Sequence, residues 1–356
     1  MKNVILLLSA LMLTCPASAT ILTLDNSENS AAQYASFGAA QNAASAGDTL
    51  LVHPSVYSYG DVNLTKRLVL IGPGHDATQL NGMEARFGII KLQTNSSGSV
   101  IESLLCSAVQ GDVFQQTDDI TIRNCYLESG APVKSSFGDG SSADRWLVEG
   151  NVMTATNCGG CALLNLETSS DDWIVRNNFI QLGSNFNGML LLKANATFIF
   201  SNNVVLVRQT NFPVFRQVAG AHFQNNIFWM LTDVTDFTEE CTNCSFVHNL
   251  FYSPTATLDA IPGTNNVMNQ EPLFTQLTAE QPQFVHTNDY RLAEGSPGKA
   301  GGTDASDLGL YGGNYPFRMA GFSPTVPRVS SLTPAFQSVP QGGTVNLQLS
   351  GFRAGQ

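Results

Sequence analysis

The chain has 356 residues, and its 17 basic and 28 acidic side chains leave a net charge of −11. Charged residues make up only 13%, about half the usual share, while 43% are apolar, which excludes an acidic disordered chain. The acidic balance also excludes nucleic acid as a partner. Polarity is carried instead by 31 glycines and 29 asparagines, the composition of a turn-rich β protein.

Residues 1–19 read as an export leader. Lys2 precedes an apolar run from Val4 to Leu13, and Ala17-Ser18-Ala19 forms an Ala-x-Ala cleavage site. The run is too short to span a bilayer comfortably. Cleavage before Thr20 removes one lysine and takes the charge to −12. No later segment is apolar for long enough to anchor the chain, so a soluble, secreted monomer is expected, extracellular or periplasmic.

Residues 20–47 are predicted to form an N-terminal cap. Tyr34, Phe37, Ala40 and Ala44 share one arc of a 3.6-residue helix within the Ala-rich stretch 30–46. A strand pattern follows through Thr49, Leu50, Leu51 and Val52. Gly72, Gly74 and Ala77 fit a GxGxxA spacing after the strand pattern 68–71, but no helix pattern follows, so a turn is expected there and not a dinucleotide site.

An octad then recurs at 120–127, 146–153, 173–180, 198–205, 221–228 and 245–252. Its third positions are Ile122, Val148, Val175, Phe200, Phe223 and Val247, spaced 26, 27, 25, 23 and 24 residues apart. One short β segment per repeat of this length is the pattern of a solenoid. An Asn or Gly turn follows each third position. A second apolar residue comes after it, at Tyr126, Val152, Phe179, Val204, Ile227 and Phe251, and both are expected to face one core. The outward second positions, Leu147, Ile174, Ile199 and Phe246, then need cover, which the C-terminal tail could supply. Residues 289–313 are read as the last coils, and 314–356 as a Pro-rich linker ending in a cap or strand, with period-two alternation over 343–350.

With these repeats the chain resembles right-handed parallel β-helix proteins of the pectate-lyase-like superfamily. The entry Gly47-Asp48-Thr49-Leu50-Leu51-Val52-His53-Pro54 is similar to theirs, with Ser55-Val56 in place of their usual Gly-Thr. The resemblance covers residues 30–313 and implies an all-β, right-handed parallel β-helix over 48–313, with a capping helix and a strand-like tail. It identifies a fold better than a reaction, since the superfamily contains lyases, glycosidases and proteins without known chemistry.

In an exported chain the cysteines favour disulfides. Cys158–Cys161 and Cys241–Cys244 are expected to close local loops, since the gap between the pairs is too long for a zinc ribbon. Cys106 and Cys125 are candidates for a third bridge. The five histidines show no metal-ligand spacing.

Candidate chemistry comes from stacking the repeat. Arg123, Glu149 and Arg176 occupy the outward fourth position on consecutive coils, with His248 in the same column as a substrate-binding candidate. A lyase would use such a set to remove a proton beside a carboxylate and to neutralise that carboxylate; a solvated ion ladder is the bland alternative. Trp146 and Trp173 share the first position. Alternation turns them inward, whereas a bulge would expose them as a sugar-stacking ladder. Asp118, Asp144 and Asp171 form an acidic column before the strands, where calcium is the candidate ion. Glycoside hydrolysis would use two carboxylates, with Asp144 and Glu149, or Asp171 and Asp172, as candidate pairs. The expected partner is an extracellular polysaccharide, met either by an enzyme or by a non-catalytic binding or structural β-helix.

Overall fold

The structure is a computed structural model. It describes residues 19–135, 143–155, 158–166, 170–183, 187–208, 213–231, 237, 240–278, 282–315, 317–334 and 347–352. The leader expected at 1–19 lies almost wholly outside these residues, and so does part of the alternating stretch 343–350.

Ten short parallel strands stack into one sheet, from Ile21–Leu24 at one end to Ser245–Val247 at the other. A second, longer parallel sheet forms the other walls, ending at Val267–Met268. Each coil contributes to both, and the chain winds as a right-handed parallel β-helix. The winding begins before the capping helix Phe37–Ala43, which is inserted between the first two coils. Ser36 caps that helix with its side chain, and Phe37, Ala40 and Ala44 are buried against the first coils. Phe37 meets Phe87 edge to face.

The interior column of the first sheet is continuous. Leu22, Leu50, Leu70, Ile101, Ile122, Val148, Val175, Phe200 and Phe223 are in register and almost fully buried. The next partner is Phe246, paired with Phe223, while Val247 pairs with Gln224 on the outer face. The sixth repeat therefore sits one residue earlier than its Asn249 suggested, and Phe246 needs no external cover. Because strand side chains alternate, this one-residue slip exchanges inside for outside.

The corner between the sheets explains the slip. The turn residues Asn124, Gly150, Asn177, Asn202, Asn225 and His248 all have φ between 52° and 66°, a conformation that suits Asn and Gly. From Gly150 on, the following position carries an amide ladder of buried Asn151, Asn178, Asn203, Asn226 and Asn249, ending at half-buried Asn266. Asn178 Oδ1 accepts from the Asn151 N–H at 2.9 Å and from its side-chain amide at 3.0 Å. Asn178 Nδ2 donates to Val148 O and to Asn203 Oδ1. The same exchange repeats up to Asn266, so corner backbone groups that no strand can satisfy are paired by side chains. Asn249 belongs to this ladder, and His248 is the turn residue.

Beyond the corner the eighth octad position faces the core and the seventh faces out. Leu127, Met153, Ile180, Val205 and Phe228 join the main core. Val152, Phe179, Val204, Ile227 and Leu250 form a second cluster with Phe274, Tyr290, Leu308, Leu310 and Phe317. Residues 272–278, 282–315 and 317–327 are therefore not further coils. They form a strap that runs back along the outside of the solenoid, covering the seventh column. Asn177 Nδ2 donates to the carbonyls of Leu310 and Gly312.

At the far end of the strap, the His75 N–H donates to Ala320 O, and His75 Nδ1 lies 2.9 Å from His286 Nε2. Gly321 lies against the His75 ring so closely that a Cβ there would come 2.2 Å from Cδ2. Burial, with the neighbouring His286, pushes the His75 pKa down to about 3. Strands Arg328–Pro334 and Leu347–Phe352 then pair antiparallel in a small sheet of their own.

Cys158–Cys161 and Cys241–Cys244 are bonded as expected. Cys106 and Cys125 are free thiols, both buried. Their hydrogen bond and their burial raise the Cys106 pKa well above the usual thiol value. No third bridge joins them; Cys125 Sγ is also turned to Ile101 O and Arg123 O.

Candidate functional site

The outward fourth column places Glu102, Arg123, Glu149 and Arg176 on successive coils. The ladder contains the expected three residues and one more acid below them. Arg123 Nη2 pairs with Glu102 Oε2 at 2.7 Å, not with Glu149. Arg176 grips Glu149 Oε2 through Nε and Nη2 at 2.9 and 2.8 Å. Glu102 is fully buried and its Oε1 has no partner; neither has the buried Nε of Arg123. The strap roofs this ladder. The Tyr315 ring lies 3.4 Å from the Arg176 guanidinium carbon, and Asn314, Tyr315, Arg318 and Pro324 enclose a cavity of about 220 Å³ with Arg123, Asn124, Glu149 and Gly150. Each guanidinium of the ladder is matched by a carboxylate, so the four residues carry balanced charge.

The other candidates have structural duties. Trp146 and Trp173 are 1% and 0% exposed and stack at 4.6 Å inside the coil, each indole N–H donating to a backbone carbonyl. Alternation holds, so no sugar can stack on them. His248 is not in the fourth column. Its Nδ1 bonds Gly301 O at 2.7 Å and its Nε2 bonds Asn265, so it fastens the strap to the last coils.

Asp118, Asp144 and Asp171 do stack, but Oδ1 of Asp118 and of Asp144 each accepts the N–H of the next aspartate, at 3.0 and 2.9 Å. Asp171 Oδ1 accepts from the Asn195 amide. Arg145 forms a bidentate pair with Asp119, holding its carboxyl below the usual range, and also lies 3.7 Å from Asp118. Among the described residues no group of three or more His, Cys, Asp or Glu side chains is placed to share a metal ion. Oδ1 of each of the three aspartates already serves as a hydrogen-bond acceptor.

A further column lies on the outer face of the second sheet. Lys91, Gln110, Lys134, Asn165, Leu192 and Arg216 are in register on six consecutive strands. Each directly follows a buried apolar residue, from Ile90 to Phe215. Lys91 and Arg216 are exposed, and the rest are half-buried. Asn165 Oδ1 is buried without a partner. An apolar residue followed by a polar one, in every member but Leu191-Leu192, is the sequence signal of the column. It stays hidden because the loops between its members differ in length and no octad marks them.

No protein-family model matches the chain, and no curated protein matches it significantly. Among solved structures it is similar to pectate lyase Pel9A, with 12% identity and a TM-score of 0.44, over 83% of this chain and 97% of that one. It is also similar to a pectin methylesterase solved with a hexasaccharide, with 11% identity and a TM-score of 0.34, over 70% and 93% of the two chains. No helix among the described residues is long and apolar enough to cross a membrane. The ladders described above make the chain a right-handed parallel β-helix.

Proposed function

We propose that the protein binds an extended acidic polysaccharide laid along the solenoid axis on the outer face of the second sheet. The observation that carries this reading is the Lys91–Arg216 column. Successive coils are about 4.8 Å apart, so a linear polymer lying along the axis meets one column side chain per coil. Two lysines, one arginine and two amides favour carboxylates and hydroxyls as ligands. In a chain of net charge −11, a basic strip of this kind sets where an anionic polymer can approach. The two disulfides, together with the leader, support action outside the cytoplasm.

The test is affinity electrophoresis in gels containing polygalacturonate, alginate or dextran. Retardation by the acidic polymers is expected, with at least a tenfold loss on Lys91→Glu or Arg216→Glu. Equal retardation by dextran, or binding indifferent to both substitutions, would remove the proposal. The same incubations report on catalysis: ultraviolet absorbance from unsaturated ends marks a lyase, and new reducing ends without it mark a glycosidase. Binding with neither marks a non-catalytic protein.

A further inference from the structure

We propose that the cavity between the charge ladder and the strap is a second binding site, for a compact carboxylate whose body rests on Tyr315. It lies on the first sheet, away from the polymer-binding column, and does not depend on that reading.

Charge arithmetic points to an anion. Glu102 neutralises Arg123, and Glu149 neutralises Arg176. Arg318, brought in by the strap, adds a second guanidinium to the wall beside Arg123 and has no carboxylate within ion-pair range among the described residues. The site therefore holds one cation more than its acids cancel, beneath a partial roof where solvent screens charge less well than on open surface.

Shape limits the ligand. A cavity of about 220 Å³ is below the usual range for drug-sized ligands, which starts near 300 Å³. A planar carboxylate matches the fork of a guanidinium. Tyr315 is 49% exposed, although Arg176 covers part of its ring, and the exposed part offers an apolar surface with a polar hydroxyl at its edge. The ladder alone would be a flat face with balanced charge. The strap supplies both the excess cation and the aromatic platform.

Calorimetry with glucuronate, acetate and glucose separates the contributions. Glucuronate should bind at least tenfold more tightly than acetate, and glucose should give no heat. Arg318→Gln should abolish the glucuronate signal, Arg318→Lys should restore part of it, and Tyr315→Ala should reduce glucuronate to the acetate level. Unaltered melting temperatures for the Arg318 variants would show that the fold is intact. Glucose binding as tightly as glucuronate would overturn the carboxylate assignment. Equal binding of acetate and glucuronate, with Tyr315→Ala silent, would overturn the platform. Indifference to Arg318→Gln would overturn the site.

Discussion

Among single residues, the buried asparagines carry more of the structure than any charged group. In Asn178→Ala the N–H and amide of Asn151 lose their acceptor and Val148 O loses its donor. Leaving such groups unpaired in the interior costs about 1–3 kcal/mol each. We expect about 3 kcal/mol of lost stability in urea unfolding; a loss below about 1 kcal/mol would mean that water repairs the gap. His75 gives a prediction of a different kind. Its folded pKa is depressed to about 3, so the folded state resists a proton that the unfolded chain accepts near 6.5. This histidine's contribution is intact above that unfolded value and is lost as pH falls from 6.5 towards 3. The slope approaches about 1.4 kcal/mol per pH unit, or about 2 kcal/mol between pH 7 and pH 5. Half-buried His286, also depressed by burial, adds in the same direction, while Asp76 opposes it in both. Denaturation midpoints at pH 7 and pH 5 should converge in His75→Gln; an unchanged gap would place the acid sensitivity elsewhere.

For the strands, the register can be tested directly. Phe223→Ala should cost about 3–5 kcal/mol, since it empties a column closed on both sides by neighbouring coils. The informative pair is Phe246→Ala and Val247→Ala: the first should cost several kcal/mol, and the second should stay within about 1 kcal/mol. The reverse order would restore the slipped register. This repeat also shows what was legible in the sequence. The strands, the corners and five of the six interior residues follow from apolar–polar alternation and from an Asn or Gly at each turn. The sixth slipped because His248 takes a turn position that Asn or Gly fills elsewhere, leaving one asparagine to serve as the marker. The second column was misread for a related reason. An apolar residue in a strand reads as core, yet Phe179 and Ile227 face outward beneath a strap whose docking no local pattern announces. The candidate site was half legible: Arg123, Glu149 and Arg176 could be stacked by counting, but Glu102, Tyr315 and Arg318 come from outside the octads.

In the molecule as a whole, two kinds of neighbour meet. Successive coils touch at separations of about 25 residues, and a solenoid held only by such contacts can fray from either end. The strap joins Gln181 to Phe284, Asn177 to Leu310 and His75 to His286, separations of 103, 133 and 211 residues. Replacing Leu310, which packs on the outward column, with Ala should loosen the strap ahead of the coils. Hydrogen exchange should then quicken in residues 283–320 before it does in the first sheet; simultaneous quickening would show a single cooperative unit. The strap also sets an order in time. Nearby coils can close as soon as they are synthesised, whereas contacts across two hundred residues must wait for a finished surface. Until the strap lands, Phe179, Val204 and Ile227 face water as a greasy stripe running lengthwise down the coil. During refolding, a hydrophobic dye should therefore brighten and then dim as the last step completes. In that interval one chain's stripe can meet another's, and the newly made protein is most in need of protection.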